Sequence, residues 1–195
     1  KEGSRYKGPP AIHNGADDNA SGVAALLQLS KQIREGNINK YNYIFIAFSG
    51  EEKGLLGSNA YIKSNMIDYS SVNYMINMDM IGRLDKEKNI QIYGTGTSPK
   101  WDNVIDLHAC KDFSIRKKES GIGPSDHTTF YLQNIPVLHF FTGAHEDYHK
   151  PTDDSDKINY IGTAKIVEFI KRIISDLDKK EKLEFTKTKE ETNKI

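Results

Sequence analysis

The sequence predicts a single α/β domain built on a largely parallel sheet with helices packed against it. Segments with the composition of strands alternate with segments of helical periodicity along most of the 195 residues, which is typical of βαβ units. The segment Tyr41–Ser49 is apolar on both faces from Ile44 to Phe48, as in a strand buried at the centre of such a sheet. Four short acidic or histidine motifs each follow a predicted strand or open a predicted helix, so they should meet at one edge of the sheet.

The remaining elements follow from periodicity and from capping signals. We predict helices over residues 20–34, 55–65, 99–110, 126–132 and 160–177, and further strands over residues 72–80, 89–93 and 135–141. Residues 111–125 are predicted to be loop and weak strand. We assign residues 1–178 to one domain and residues 179–195, which are rich in lysine, glutamate and threonine, to a charged C-terminal extension.

The composition argues against several classes of partner. Hydrophobic residues make up 37% and charged residues 28% of the chain, as in ordinary globular domains. The formal net charge is +0, so the basic footprint of a nucleic-acid-binding protein is missing. No apolar run approaches the roughly 20 residues that a membrane-spanning helix needs. We therefore expect neither nucleic acid nor a membrane span.

The acidic motifs predict a metal site. Asp17 and Asp18 precede the first helix, Glu51 and Glu52 follow the apolar segment directly, and Asp79 lies within an apolar run. Carboxylates that converge repel one another and are costly to desolvate unless a cation holds them. Helix capping is the alternative for either acidic pair, because acids also favour helix N-termini. Capping explains one acid of a pair better than two.

The same residues predict hydrolytic chemistry. The side chains of Glu51 and Glu52 point in different directions, so one can hold a metal while the other accepts a proton from water. His145 and His149 both lie in the loop after the last predicted strand, and spacing alone does not choose between them. Oxygen and nitrogen ligands without a thiolate suit zinc, with manganese or cobalt as alternatives.

Five segments together resemble the M28 peptidases, which are zinc aminopeptidases with a pair of metal ions. They are residues 14–22, 48–52, 77–82, 125–127 and 148–153, and they match that family in content and order. The resemblance implies a three-layer sandwich of the zinc-exopeptidase type. It also implies hydrolysis of the N-terminal residue of peptides that carry a free N-terminus, through a metal-activated water. A secreted, periplasmic or cell-surface location is implied by the family alone.

The resemblance further implies a set of ligands for two zinc ions. It implies that Asp17 bridges the ions and that Asp18 supports it across an unusual peptide bond. Glu52 is then a terminal ligand of one ion and Asp79 of the other. The resemblance also selects His149 as a ligand.

Three further residues receive roles from the resemblance. Glu51 is the implied general base, the Tyr148 hydroxyl is implied to bind the developing oxyanion, and Asp126 is a supporting or substrate-side group. The family pattern begins with another histidine ligand upstream of this chain, so we expect that ligand and the N-terminal strands to be missing. We then expect this stretch of chain to bind metal weakly and to be inactive by itself, and its parent protein to be active. The alternatives are a glutaminyl cyclase-like acyltransferase with one zinc ion, and a non-catalytic, metal-poor domain of the same fold.

Overall fold

The computed structural model describes residues 3–189, apart from the side chain of Cys110. The five helices of this part of the chain are α1 (Gly22–Glu35), α2 (Leu56–Lys63), α3 (Trp101–His108), α4 (His127–Tyr131) and α5 (Tyr160–Asp178). Its four strands are β1 (Met75–Met78), β2 (Asn89–Tyr93), β3 (Ser114–Lys118) and β4 (Val137–Phe141). None of these helices is long and apolar enough to cross a lipid bilayer.

The strands form one mixed sheet in the order β1-β4-β2-β3. β1 and β4 are parallel, with Ile76 opposite Leu138, and β2 and β3 are also parallel. β2 and β4 pair antiparallel, with Ile92 opposite Phe140. The predicted mostly parallel, mixed sheet is therefore confirmed. β3 occupies the stretch that was predicted only as loop and weak strand.

Helices cover both faces of the sheet, which confirms the three-layer architecture. On one face, α1, α3 and α5 pack against alternate strand residues such as Ile92, Leu138 and Phe140. On the other face, α2 and α4 pack against Val137. Ile92, Leu138 and Phe140 are fully buried, and full burial of such a side chain contributes about 1.5–3 kcal/mol. The two apolar faces hold the sheet in place and leave its polar edge available for a site.

The prediction of a strand over Tyr41–Ser49 is wrong. Within residues 3–189, residues 42–48 make no backbone–backbone hydrogen bond and belong to no sheet. A cavity of about 270 Å³ is lined both by part of this segment and by all four residues of β1. Because the segment is not covered by sheet neighbours, Ile44 is 59% exposed. The apolar composition is that of a buried strand, but a strand forms only when a neighbouring backbone completes its hydrogen bonds.

Part of the charged extension predicted from residue 179 packs on the domain. Leu183 belongs to the core cluster that contains α5, and Phe185 packs against the core on the other face of the sheet. The Thr186 amide donates to the Thr97 carbonyl at 2.8 Å. Two apolar side chains in a polar stretch thus dock residues 183–188 against the domain. The part of the extension from residue 190 onward lies outside the described residues.

Asp178 joins the end of α5 to the turn that follows α1. This contact predicts how the stability of the protein responds when the carboxylate is removed. Its carboxylate accepts hydrogen bonds from the amides of Asn39, Lys40 and Tyr41 and from the Tyr43 hydroxyl. Burial acts to raise the pKa of Asp178, but these hydrogen bonds outweigh it and lower the pKa below its usual value. We expect Asp178→Asn to lower the free energy of unfolding by about 2 kcal/mol at pH 7.

The pH dependence of that loss follows from the lowered pKa. A carboxylate with a depressed folded-state pKa stabilises the fold above its unfolded pKa of about 3.9, and this stabilisation disappears as the pH falls through the folded value. The difference in free energy of unfolding between Asp178→Asn and the unaltered protein should therefore shrink below about pH 4. Urea unfolding followed by circular dichroism at pH 7, 5 and 3 measures it. A difference that grows on acidification would contradict the assignment.

Candidate metal centre

Three side chains of ligand type meet in one cluster, although they come from distant parts of the chain. His149 Nε2 lies 2.8 Å from Glu52 Oε2 and 3.3 Å from Asp18 Oδ2. One ligand atom from each residue lies within 4.8 Å of the other two. We define Asp18, Glu52 and His149 as the ligand cluster. An imidazole nitrogen and two carboxylate oxygens are ligands that zinc accepts.

The orientation of His149 directs one ring nitrogen at the two carboxylates. Its Nδ1–H donates to the Gly3 carbonyl at 3.0 Å, which leaves Nε2 to face Glu52 and Asp18. That Nε2 atom is buried. A buried ring nitrogen beside two carboxylates is a donor set that a divalent cation binds. The cluster therefore fits a divalent metal.

The backbone around His149 holds the ring in this place. His149 has φ 59°, a left-handed conformation that is uncommon for residues other than glycine. The Arg5 amide donates to the His149 carbonyl at 3.1 Å, and the Lys150 amide donates to the Asp147 carbonyl at 2.9 Å. These contacts fix the turn that aims the imidazole at the cluster.

Asp18 enters the cluster from an irregular loop that precedes α1. The loop begins at Gly15, which has φ 62°, and contains a cis peptide bond between Asp18 and Asn19. The unusual peptide bond that we predicted to lie before Asp18 thus lies after it. The loop turns the carboxylates of the two adjacent acids in different directions.

The structure does not bring Asp17 into the ligand cluster. Asp17 is fully buried, and its Oδ1 accepts hydrogen bonds from the Gly82 amide at 2.6 Å and the Ser21 hydroxyl at 3.0 Å. His145 Nε2 lies 3.0 Å from its other oxygen. Asp17 therefore ties its loop to the segment after β1, whereas Asp18 lies in the ligand cluster. His145, which spacing left open as a ligand, contacts Asp17 instead.

Glu51 lines the cavity beside the ligand cluster without belonging to it. It lies in a short 3₁₀ turn that begins after Gly50, which has φ 66°. Burial, together with the charges of Asp79 and other carboxylates, raises the pKa of Glu51 to about 8. An acid with a pKa near neutrality can accept and return a proton at physiological pH. Glu51 is thus a carboxyl group beside the ligand cluster that exchanges its proton near neutral pH.

Asp79 and Asp126 line the same cavity from another side. The Ser125 hydroxyl donates to Asp79 Oδ2 at 2.8 Å, and the Ser58 hydroxyl donates to Asp126. Burial raises the pKa of both carboxyls, that of Asp79 to about 6. Asp79 does not join the ligand cluster. Both acids nevertheless add negative charge where a cation would be stabilised.

Tyr148 packs directly against the imidazole of the ligand cluster. The ring centres of Tyr148 and His149 are 3.8 Å apart, and the Arg5 guanidinium lies 4.7 Å from the Tyr148 ring centre. Burial and the charges of Asp18 and Glu52 raise the pKa of Tyr148. The phenol therefore stays protonated at neutral pH and can donate a hydrogen bond, as the role predicted for it requires.

Sequence reasoning missed two residues that support the ligand loops. Asp153 accepts hydrogen bonds from the amides of Asp17 and Asp18, and Arg83 contacts Asp153 and Asp147. Asp153 belongs to a motif that carried the family resemblance, so a signal existed, although no role was assigned to it. Arg83 carries no motif signal, because only the folded chain brings it to these acids.

The mixed sheet and its two layers of helices place the protein among the α/β domains, and the ligand cluster is a candidate metal centre. The profile described as Peptidase family M28 matches residues 4–174. The chain therefore belongs to peptidase family M28, and the predicted resemblance is confirmed.

Two curated proteins illustrate the sequence similarity. The chain is 28% identical over 181 residues to the aminopeptidase YwaD of Bacillus subtilis, in a match that covers 86% of this chain and 39% of that protein. It is 38% identical over 160 residues to a probable leucine aminopeptidase of Arthroderma otae, in a match that covers 75% of this chain and 43% of that protein. The chain thus spans less than half the length of either relative.

Solved structures share the fold. The Legionella pneumophila LapA aminopeptidase superposes with a TM-score of 0.72 at 20% identity, covering 89% of this chain and 49% of LapA. The zinc aminopeptidase BSAP of Bacillus subtilis superposes with a TM-score of 0.70 at 21% identity, covering 90% of this chain and 46% of BSAP. At these identities the superpositions establish the architecture, and the chemistry must be argued from the residues of this chain.

Proposed function

We propose that this protein is a zinc-dependent aminopeptidase that removes the N-terminal residue of peptides. The ligand cluster, with Glu51 beside it, is the observation that carries the proposal. Membership of peptidase family M28 supports it. So do the names of the relatives, which include aminopeptidases and a zinc aminopeptidase.

In this proposal Asp18, Glu52 and His149 hold a zinc ion, and Asp79 serves a second ion within the same cavity. His149 Nε2, which is buried beside two carboxylates, supports the first assignment. The raised pKa of Asp79 and its place in the cavity lining support the second, because nearby positive charge would relieve its repulsion by the other acids. Asp18 would then supply the carboxylate that the family resemblance implied for Asp17.

Zinc bound here would supply Lewis acidity, polarising the scissile carbonyl and lowering the pKa of water towards ~7. Glu51 removes a proton from the attacking water and returns it to the leaving amine. Tyr148 donates its hydroxyl hydrogen to the carbonyl oxygen as negative charge develops there. Cavity-lining carboxylates such as Asp126 attract the free α-ammonium group of the substrate, which restricts cleavage to the N-terminal residue.

The test is the zinc dependence of aminoacyl-anilide hydrolysis. We expect the complete protein to cleave leucyl-4-nitroanilide, to lose this activity after dialysis against a chelator, and to recover it on addition of zinc. N-acetyl-leucyl-4-nitroanilide is the matched control, because it lacks the free amino group and should not be cleaved. Release of nitroaniline measured by absorbance, together with zinc content by elemental analysis, gives both readouts.

Each contrary result has a distinct meaning. Cyclisation of an N-terminal glutaminyl peptide without anilide cleavage would replace the peptidase with an acyltransferase. Bound zinc with neither activity would identify a non-catalytic domain. Hydrolysis that survives complete zinc removal would contradict the role of the ligand cluster.

A further inference from the structure

We propose that Asp153 is a positioning residue that holds the Asp18 carboxylate against His149. The inference rests on the proposed function, because it concerns how the zinc ligands are held. Asp153 is 2% exposed and lies in the same loop as His149, four residues further on. Its carboxylate faces the loop that carries Asp18.

The contacts between the two loops pass mainly through Asp153. Its Oδ2 accepts hydrogen bonds from the Asp17 amide at 3.0 Å and from the Asp18 amide at 3.1 Å. Its Oδ1 lies 3.2 Å from the Asp17 amide nitrogen. The Ala16 amide donates to the Asp153 backbone carbonyl at 3.0 Å. Three successive amides of one ligand loop therefore bind a single residue of the other.

The Asp153 carboxylate also contacts a charge network. Arg83 Nη2 lies 3.5 Å from Asp153 Oδ1 and 2.9 Å from Asp147 Oδ2. Lys157, which is exposed, places its Nζ 2.5 Å from the other oxygen of Asp147. Two cations thus hold acids on both sides of His149 in the chain. Because the Arg83 side chain and both acids are mostly shielded from water, their pairs are screened less than surface pairs.

The contacts of Asp153 determine the distance between the ligand atoms of Asp18 and His149, on which metal affinity depends. Asp18 and His149 are 131 positions apart in the sequence, yet Asp18 Oδ2 and His149 Nε2 lie 3.3 Å apart. Amides that bind Asp153 cannot rotate freely, so the Asp18 side chain is presented in one direction. Loss of a group that orients a ligand typically weakens metal binding by about 10–100-fold. Asp153 thereby acts on zinc through Asp18 without being a ligand.

The experiment compares Asp153→Asn with Asp178→Asn as a matched control. Both residues are buried acids that accept backbone amides from a distant segment, but Asp178 contacts residues 39–43, away from the ligand cluster. We expect both variants to be less stable to urea. Only Asp153→Asn should raise the apparent Kd for Zn²⁺, by about 10–100-fold, in competition with a chromophoric chelator at pH 7.5.

The outcomes separate the positioning role from the function itself. Equal Zn²⁺ affinity in Asp153→Asn and Asp178→Asn would overturn the positioning role while leaving the proposed function intact. Failure of the unaltered protein to bind Zn²⁺ would overturn both. If Asp153→Asn does not fold, Arg83→Gln, which removes the support behind the carboxylate, must weaken Zn²⁺ binding in the same direction. Unchanged affinity in that variant would also overturn the role.

Discussion

Glu51→Gln is expected to lower kcat by roughly 10²–10⁴-fold while the protein keeps its fold and its zinc, since this is the usual contribution of a general base. Glu51 lines the cavity next to the ligand cluster without being part of it. Glutamine preserves the shape of the side chain but cannot take a proton from water. The loss should appear in kcat, with KM changed little.

Steady-state kinetics on leucyl-4-nitroanilide and zinc content by elemental analysis test this prediction together. Glu87→Gln is the matched control, because Glu87 is an exposed glutamate in the turn before β2, and it should leave both quantities unchanged. A kcat like that of the unaltered protein would remove Glu51 from the role of base. Parallel loss of zinc and activity would make it a ligand instead.

Asp18→Asn is expected to weaken zinc binding by more than about 100-fold, because even the partners that merely orient a ligand cost about 10–100-fold when lost. Asparagine removes a negative charge from a cluster in which His149 and Glu52 remain. The metal-free protein should be destabilised little, since one of several mutually repelling carboxylates is neutralised. Chelator competition measures the affinity, and urea unfolding of the metal-free protein measures the stability.

Asp17→Asn is the matched comparison and should behave in the opposite way. Asp17 is fully buried and accepts hydrogen bonds from the Gly82 amide and the Ser21 hydroxyl. Loss of a buried charged acceptor typically costs about 1.5–3 kcal/mol, so the free energy of unfolding should fall while the folded protein still binds zinc. Should Asp17→Asn abolish zinc binding and Asp18→Asn retain it, the ligand assignment would revert to the one that the family resemblance implied.

The pair Asp17-Asp18 shows what a sequence motif can predict and what it cannot. The sequence predicted that this loop helps to hold a cation and that its two adjacent acids differ in role. It could not predict which acid joins the ligand cluster, because that depends on the backbone conformation from Gly15 to Asn19. Asp18 faces the ligand cluster because the Asp17 carboxylate is taken by Ser21 and Gly82.

The segment 42–48 shows that composition alone does not predict whether a strand finds a pairing partner. Its composition predicts a buried strand, and its position before Glu51 was read correctly. Composition does not supply a hydrogen-bonded neighbour, however, and the segment pairs with no strand among residues 3–189. The antiparallel pairing of β2 with β4 could not be predicted either, because local periodicity indicates burial and not the relative direction of two strands.

The sequence by itself determined the α/β class, nearly every helix and strand, the family and the identity of the loops that carry the site. These features follow from local periodicity and from motifs that are continuous in the chain. Only the tertiary structure decided that Asp18, and not Asp17, joins Glu52 and His149, and that Asp153 and Arg83 support them. The physical reason is that a ligand set requires atoms a few ångströms apart from residues up to 131 positions apart in the chain, and the packed loops alone fix those distances.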